Sequence, residues 1–163
     1  MTDQPFSHLD AAGQARMVDV SGKQVTTRSA TAAGLVRCPE AVVALLRSGA
    51  VPKGDVLAVA RIAGIAAAKR TPDLLPLAHV IGVHGVVVDL EVVEDGVAIE
   101  ATVHAADRTG VEMEALTAVA VAALAVVDMV KGIDKNVQID AIRLLAKDGG
   151  RSGAWVRDPS SQA

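Results

Sequence analysis

The residues best able to do chemistry fall on two stretches of the chain. Asp128 sits in Val126-Val127-Asp128-Met129-Val130, near the end of an apolar run, with Lys131 three positions on. A carboxylate in apolar surroundings must be paired, hydrogen-bonded or protonated. At helical i,i+3 spacing the lysine falls on the neighbouring face. Such a pair between apolar walls has shifted proton affinities and suits proton transfer; an ordinary ion pair at a helix end explains the same spacing. Glu112 and Glu114 open the same predicted helix, where acids complement the dipole. Fourteen residues separate Glu114 from Asp128, roughly 21 Å along a helix axis. The two cannot form a carboxylate dyad within one helix; if both act on one reaction, the ligand must be long or a second subunit must contribute.

The second stretch is basic. Lys53-Gly54-Asp55 precedes a predicted helix, where outward N–H groups, a glycine and a lysine make a phosphate perch. The Gly149-Gly150-Arg151-Ser152-Gly153 loop offers a second anion nest. His79, in a predicted loop, can bind or shuttle protons. His8, His84 and His104 show no metal-binding spacing, so no dedicated metal site is expected. No GxGxxG, GxxxxGK[ST] or GxSxG occurs, which removes the dinucleotide, P-loop and hydrolase readings.

The chain that must position these groups has 163 residues, enough for one domain. Hydrophobic residues make up 51% of it and aromatics only 1%, Phe6 and Trp155. The core is therefore built from Ala, Val, Leu and Ile. So much apolar surface on a short chain points to contacts between subunits. Net charge is −3, and RNA-binding domains of this class stack bases on sheet aromatics; no nucleic-acid partner is expected. Residues 47–70 nevertheless carry a net +4 and residues 89–114 a net −7, an asymmetry that suits an anion site. Cys38 is the only cysteine, in keeping with a reducing cytoplasm. The N-terminus reads as no signal peptide. The longest apolar stretch, 115–127, is short of the ~18 residues needed to cross a bilayer, so no membrane is expected.

Residues 1–16 read as a mobile segment and 158–163 as a frayed tail, leaving 17–157 as a single domain. Within it the patterns predict a strand over 24–36, a helix opened by Pro39 and closed by Gly49, and a helix capped by Asp55 running to about Arg70. Gly64, inside that helix, implies a close neighbour or ligand. Residues 71–83 read as a loop. Val86, Val88, Leu90 and Val92, an Asp95-Gly96 turn, then Val97, Ile99, Ala101 and Val103 predict a hairpin with one apolar face. Thr109-Gly110-Val111-Glu112 has capping-box spacing and opens a helix to about Lys131. A last strand covers 137–147. The order β-α-α-β-β-α-β is an α+β, ferredoxin-like split β-α-β with one extra N-terminal helix. Its antiparallel sheet is expected to carry helices on one face.

Several blocks resemble one family: Met17-Val18-Asp19-Val20-Ser21, Lys53-Gly54-Asp55, Ala60-Arg61-Ile62-Ala63-Gly64-Ile65, Ala67-Ala68-Lys69-Arg70-Thr71, Thr109-Gly110-Val111-Glu112-Met113-Glu114-Ala115-Leu116-Thr117-Ala118, Asp128-Met129 with Lys131, and the closing Gly-Gly-Arg-Ser-Gly. Together they resemble the cyclic pyranopterin monophosphate synthases of molybdenum-cofactor biosynthesis, from about residue 8 to 157. The resemblance implies a small-molecule nucleotide substrate, a cyclised dihydroguanosine triphosphate, converted to cyclic pyranopterin monophosphate with release of pyrophosphate. It implies dimers, three of which make a homohexamer, with the site at a dimer interface. No redox cofactor is implied, and a magnesium ion accompanying the triphosphate stays open.

Carried over by position, the resemblance implies catalytic roles for Asp128, Lys131 and Lys53. It implies substrate contacts for Leu77, Ala78, His79, Glu112, Met113 and Glu114, and triphosphate contacts for Arg28, Lys69 and Lys147. The chain departs from the family pattern where Ala78 replaces a cysteine, Val80 a proline and Val127 a tyrosine. A binding module without catalysis and a structural assembly partner are the rival readings. Released pyrophosphate separates the first from an enzyme, and the Lys/Asp/Glu constellation argues against the second.

Overall fold

The computed structural model describes Leu9, residues 12–158 and Ser160. The expected mobile start and frayed end fall mostly outside those residues. Five strands form one antiparallel sheet in the order β2-β3-β1-β4-β5. They are β1 (Thr26–Arg37), β2 (Val83–Val93), β3 (Gly96–Asp107), β4 (Gln138–Asp148) and β5 (Trp155–Val156). The helices are α1 (Glu40–Ser48), α2 (Val56–Ala68), the single turn α3 (Thr71–Leu74) and α4 (Glu112–Val130). The first four strands have the ferredoxin-like arrangement, with β3 between β1 and β2. The short β5 pairs Lys147 with Trp155 and Ala146 with Val156, and two residues are too few to show a sequence periodicity.

Side-chain alternation decides which face is covered. In β1, Ala30, Ala32 and Val36 are buried, and Gly34 lies between them on the same face. A Cβ on Gly34 would stand 2.8 Å from the Val119 side chain, so the glycine lets α4 settle on the central strand. Val88, Val97, Ile99, Ala101 and Val103 complete the apolar face of the hairpin. Ala115, Ala118, Val119, Ala122, Ala123 and Val126 of α4 lie fully buried over it. By length and hydropathy α4 would pass for a membrane-crossing helix, yet half of it is buried inside the fold, as a core helix must be. The other face bounds a groove of about 1080 Å³ lined by Asp89, Glu91, Glu100, Asp140, Arg143 and Arg157 among others.

The helix α2 lies antiparallel to α4, since Gly64 meets Ala118 and Ala122 while Lys53, just before α2, reaches Asp128 near the end of α4. Asp55 caps α2 as predicted, its Oδ1 accepting from the Ala58 N–H at 2.9 Å. Gly49 ends α1 in the left-handed region, its N–H donating to Leu45 and Leu46.

Three local expectations need correction. The hairpin turn centres on Glu94-Asp95, because Gly96 pairs with Val93 as the first residue of β3. Gly96 faces the Val36 carbonyl so closely that a Cβ would lie 1.9 Å from that oxygen; its glycine serves the close approach, not the turn. The capping box does not form. The N-cap is Val111, no side chain caps α4, and the Glu112 carboxylate folds back over Gly110, where a Cβ would collide with it. The loop over 71–83 contains α3, with Pro72 in its first turn.

Gly64 is a point of close approach between the two long helices: a Cβ would meet the Ala118 carbonyl at 2.9 Å and Ala122 at 3.2 Å. Gly64→Val is expected to cost about 1–3 kcal/mol by overpacking. A urea midpoint equal to wild type would contradict that seam.

Candidate active site

Two charged clusters stand at opposite ends of α4. At its C-terminal end, Lys131 Nζ lies 2.6 Å from Asp128 Oδ1, and Lys53 Nζ lies 3.3 Å from Oδ2. The Lys53 amine also donates to the Asp128 backbone carbonyl at 2.7 Å. Gly54, at a φ of 101°, turns the chain from Lys53 into α2, so the amine predicted as a phosphate perch is aimed at the carboxylate. Apolar walls around Asp128 are not found: its side chain is 58% exposed in the single chain, because position 128 points away from the sheet. Hydrogen bonds from Lys131 and then Lys53 hold its carboxyl below the usual range. The triad is an ionised acid between two ammonium groups, open to an incoming ligand.

At the N-terminal end two adjoining cavities share Lys23, Thr109, Gly110 and Glu112. The larger, about 800 Å³, brings Lys23, Arg28, Arg108, Lys147 and Arg151 against only Glu112 and Asp148. This excess of cations suits a polyphosphate. Arg28 Nε is buried there without a partner, a donor in want of an acceptor. The glycine-rich loop is shaped around this arginine. Gly149 and Gly150 have φ of 95° and 74°, and a Cβ on Gly150 would lie 1.7 Å from Arg28 Nη1. Lys147 donates to Ser152 in the same loop.

The smaller cavity, about 430 Å³, is lined by Leu77, Ala78, His79, Glu112, Met113 and Glu114, with Val18 and Val20 closing one side. Glu114 is only 3% exposed. Burial pushes its carboxyl up to about 7, helped by the neighbouring Glu112 charge. A first-turn acid reads from sequence as a dipole partner, but the packing makes this one able to hold or release a proton near neutral pH.

The structure thus gathers Arg28, Lys147, Leu77, Ala78, His79, Glu112, Met113 and Glu114 at one end of α4, and Lys53, Asp128 and Lys131 at the other. Lys69 is the C-cap of α2 and lines neither cavity. Lys23 and Arg108 join the basic cleft although no motif marked their side chains. They are far apart in sequence but flank the paired ends of β1 and β3, where Thr26 faces Asp107, and Arg108 Nε donates to the Lys23 carbonyl at 3.1 Å. Among the described residues no cluster of three or more His, Cys, Asp or Glu side chains could hold a metal ion.

The chain is thus a ferredoxin-like α+β protein with a cation-rich cleft at one end of α4 and a separate lysine–aspartate–lysine cluster at the other. The model of the MoaC family matches residues 17–150, and the chain belongs to that family. It is 60% identical over 162 residues to the cyclic pyranopterin monophosphate synthase of Nocardioides sp. (strain ATCC BAA-499 / JS614), covering 96% of this chain and 99% of that protein. It is 62% identical over 152 residues to that of Streptomyces coelicolor, covering 93% and 89%. The synthase of Chloroflexus aggregans is 56% identical, covering 96% of each chain.

The folded chain holds the Glu114 proton more tightly than the unfolded one does. This contribution to stability is full below the usual carboxyl value of 4.5 and is lost as pH rises through about 7. Glu114→Gln removes the titration. Relative to wild type, the variant is expected to gain about 1–3 kcal/mol in going from pH 4.5 to pH 8, read by urea unfolding at both values. A difference that does not change with pH would refute the shift.

Proposed function

We propose that this chain is a cyclic pyranopterin monophosphate synthase, acting on the 3′,8-cyclised dihydroguanosine triphosphate. In the phosphate step a substrate hydroxyl attacks the α-phosphorus, its proton passes to a base, and pyrophosphate leaves as the cyclic phosphate closes; this makes the enzyme a phosphorus–oxygen lyase. The observation that carries the reading is the separation of two complementary half-sites by the length of α4, in a chain of this family. A basic cleft answers the triphosphate, while the Lys53–Asp128–Lys131 cluster supplies acid and base.

In the proposed assembly a dimer sets the C-terminal cluster of one protomer against the N-terminal cavities of its partner, and three dimers make a hexamer. Arg28 and Lys147 meet the phosphates, with Lys69 joining from the end of α2. Leu77, Ala78, His79, Glu112, Met113 and Glu114 hold the ring end. Preorganised cations facing the departing pyrophosphate lower the barrier without reorganising. Asp128, kept ionised by its two lysines, holds their amines in place, and the lysines carry the protons that are exchanged with the substrate. A redox cofactor is not required by this chemistry, and any magnesium ion enters with the triphosphate. The buried free Cys38 accords with a reducing cytoplasm.

Asp128→Asn and Lys131→Ala are expected to fold and assemble yet lose about 10²–10⁴-fold in pyrophosphate release from the cyclised nucleotide. Wild-type turnover by either variant would remove it from the reaction.

The shared site has its own test. Arg28→Ala and Asp128→Asn damage different half-sites. Mixed after dissociation and reassembly, they restore one intact composite site in each mixed dimer, about a quarter of wild-type activity. No recovery, with mixed oligomers present, would mean that each chain carries its own complete site.

A further inference from the structure

The segment Met17–Lys23 has no regular secondary structure, yet it is fastened across the smaller cavity at both ends. The Val18 carbonyl lies 2.7 Å from His79 Nε2, and the Lys23 carbonyl accepts from Arg108. Between these points Ser21 N–H donates to Asp19 Oδ1 at 2.8 Å, and Lys23 N–H to the Val20 carbonyl at 3.0 Å. Val18 and Val20 are half-buried and line the cavity, while Met17, Asp19 and Ser21 are exposed. The segment is a strap with two apolar studs, seated opposite Glu112, Met113 and Glu114.

A carbonyl oxygen can only accept, so the Val18 contact requires a proton on His79 Nε2. In the neutral ring this leaves Nδ1 as a lone-pair acceptor. From this geometry we infer that the strap is a positioning element: it fixes the His79 ring so that an accepting Nδ1 meets the ligand, and His79 reads a ring N–H or a hydroxyl, not a phosphate oxygen. The phosphate is left to the cationic cleft next door. This rests on the proposed function for the identity of the ligand, but not for the seating of the strap.

The test uses the full-length chain and hydrogen–deuterium exchange at histidine Cε1, read by mass spectrometry, with exposed His104 as the internal control. In wild type His79 is expected to exchange several-fold more slowly than His104. Val20→Asp, which sets a carboxylate against Glu112 and Glu114, is expected to unseat the strap and erase that difference. It should also lower kcat/KM about tenfold, the low end of the cost of losing a histidine's orienting partner. Val20→Ile should restore both, and Val20→Ser serves in place of the aspartate variant if that fails to fold. Slow His79 exchange unchanged in the unseated variant would overturn the inference.

The direction of the Nδ1 contact is tested separately. His79→Asn keeps an acceptor near Nδ1, and His79→Lys keeps only a cation. The asparagine variant is expected to be the more active, and the reverse order would assign His79 to phosphate. The exchange arm needs no substrate. A wild-type protein inert toward the cyclised nucleotide therefore defeats the proposed function without touching the strap, and unaltered exchange defeats the strap without touching the function.

Discussion

The 19-residue helix α4 is a stiff spacer. Its backbone hydrogen bonds fix a rise of about 1.5 Å per residue, so the acids at its start and Asp128 near its end cannot form a carboxylate pair within one chain. The packing makes the spacer rigid. Alanines at 115, 118, 122 and 123 are fully buried, and glycines at 34 and 64 let the sheet and α2 close onto the same helix. Small side chains leave no soft layer in which α4 could tilt or slide. The two charged clusters are held apart by the same contacts that hold the fold together.

The two ends differ in how they treat a proton. At the exposed end, two lysine partners keep Asp128 ionised below the usual carboxyl range. At the buried end, desolvation lifts Glu114 to about 7. Carboxyl groups pushed in opposite directions are fitted to opposite tasks, one as a fixed negative charge and the other as a proton reservoir. Neither shift follows from residue type. Glu112 and Glu114 are neighbours in the same first turn, yet Glu112 folds back over Gly110 while Glu114 turns into the core.

The basic cleft depends on glycine as much as on cations. Gly149 and Gly150 occupy left-handed backbone; the Arg28 guanidinium passes where a side chain on Gly150 would stand, and the Thr27 carbonyl where one on Gly149 would. A side chain on Gly150 would displace the arginine, whose Nε is buried without a partner. The loop reads from sequence as an anion nest in its own right; in the fold it is equally the wall that sets the position of a cation from β1.

The order of the long elements, the apolar face of the hairpin, the Asp55 cap and the close neighbour at Gly64 were legible in the sequence, because local periodicity and steric demands are written in adjacent residues; the short α3 and β5 were not. The pairing of Asp128 with Lys131 was legible too, at i,i+3. What only tertiary structure decided was everything that crosses the chain: Lys53 reaching Asp128 from 75 positions away, Lys23 and Arg108 joining the cleft, the Val18 carbonyl accepting from His79 Nε2, and which of the two first-turn glutamates is buried. The Glu94-Asp95 turn and the missing capping box failed for the same reason. Gly96 answers to the Val36 carbonyl and Glu112 to Gly110, and such close approaches depend on where the backbone passes in space, which local spacing does not encode.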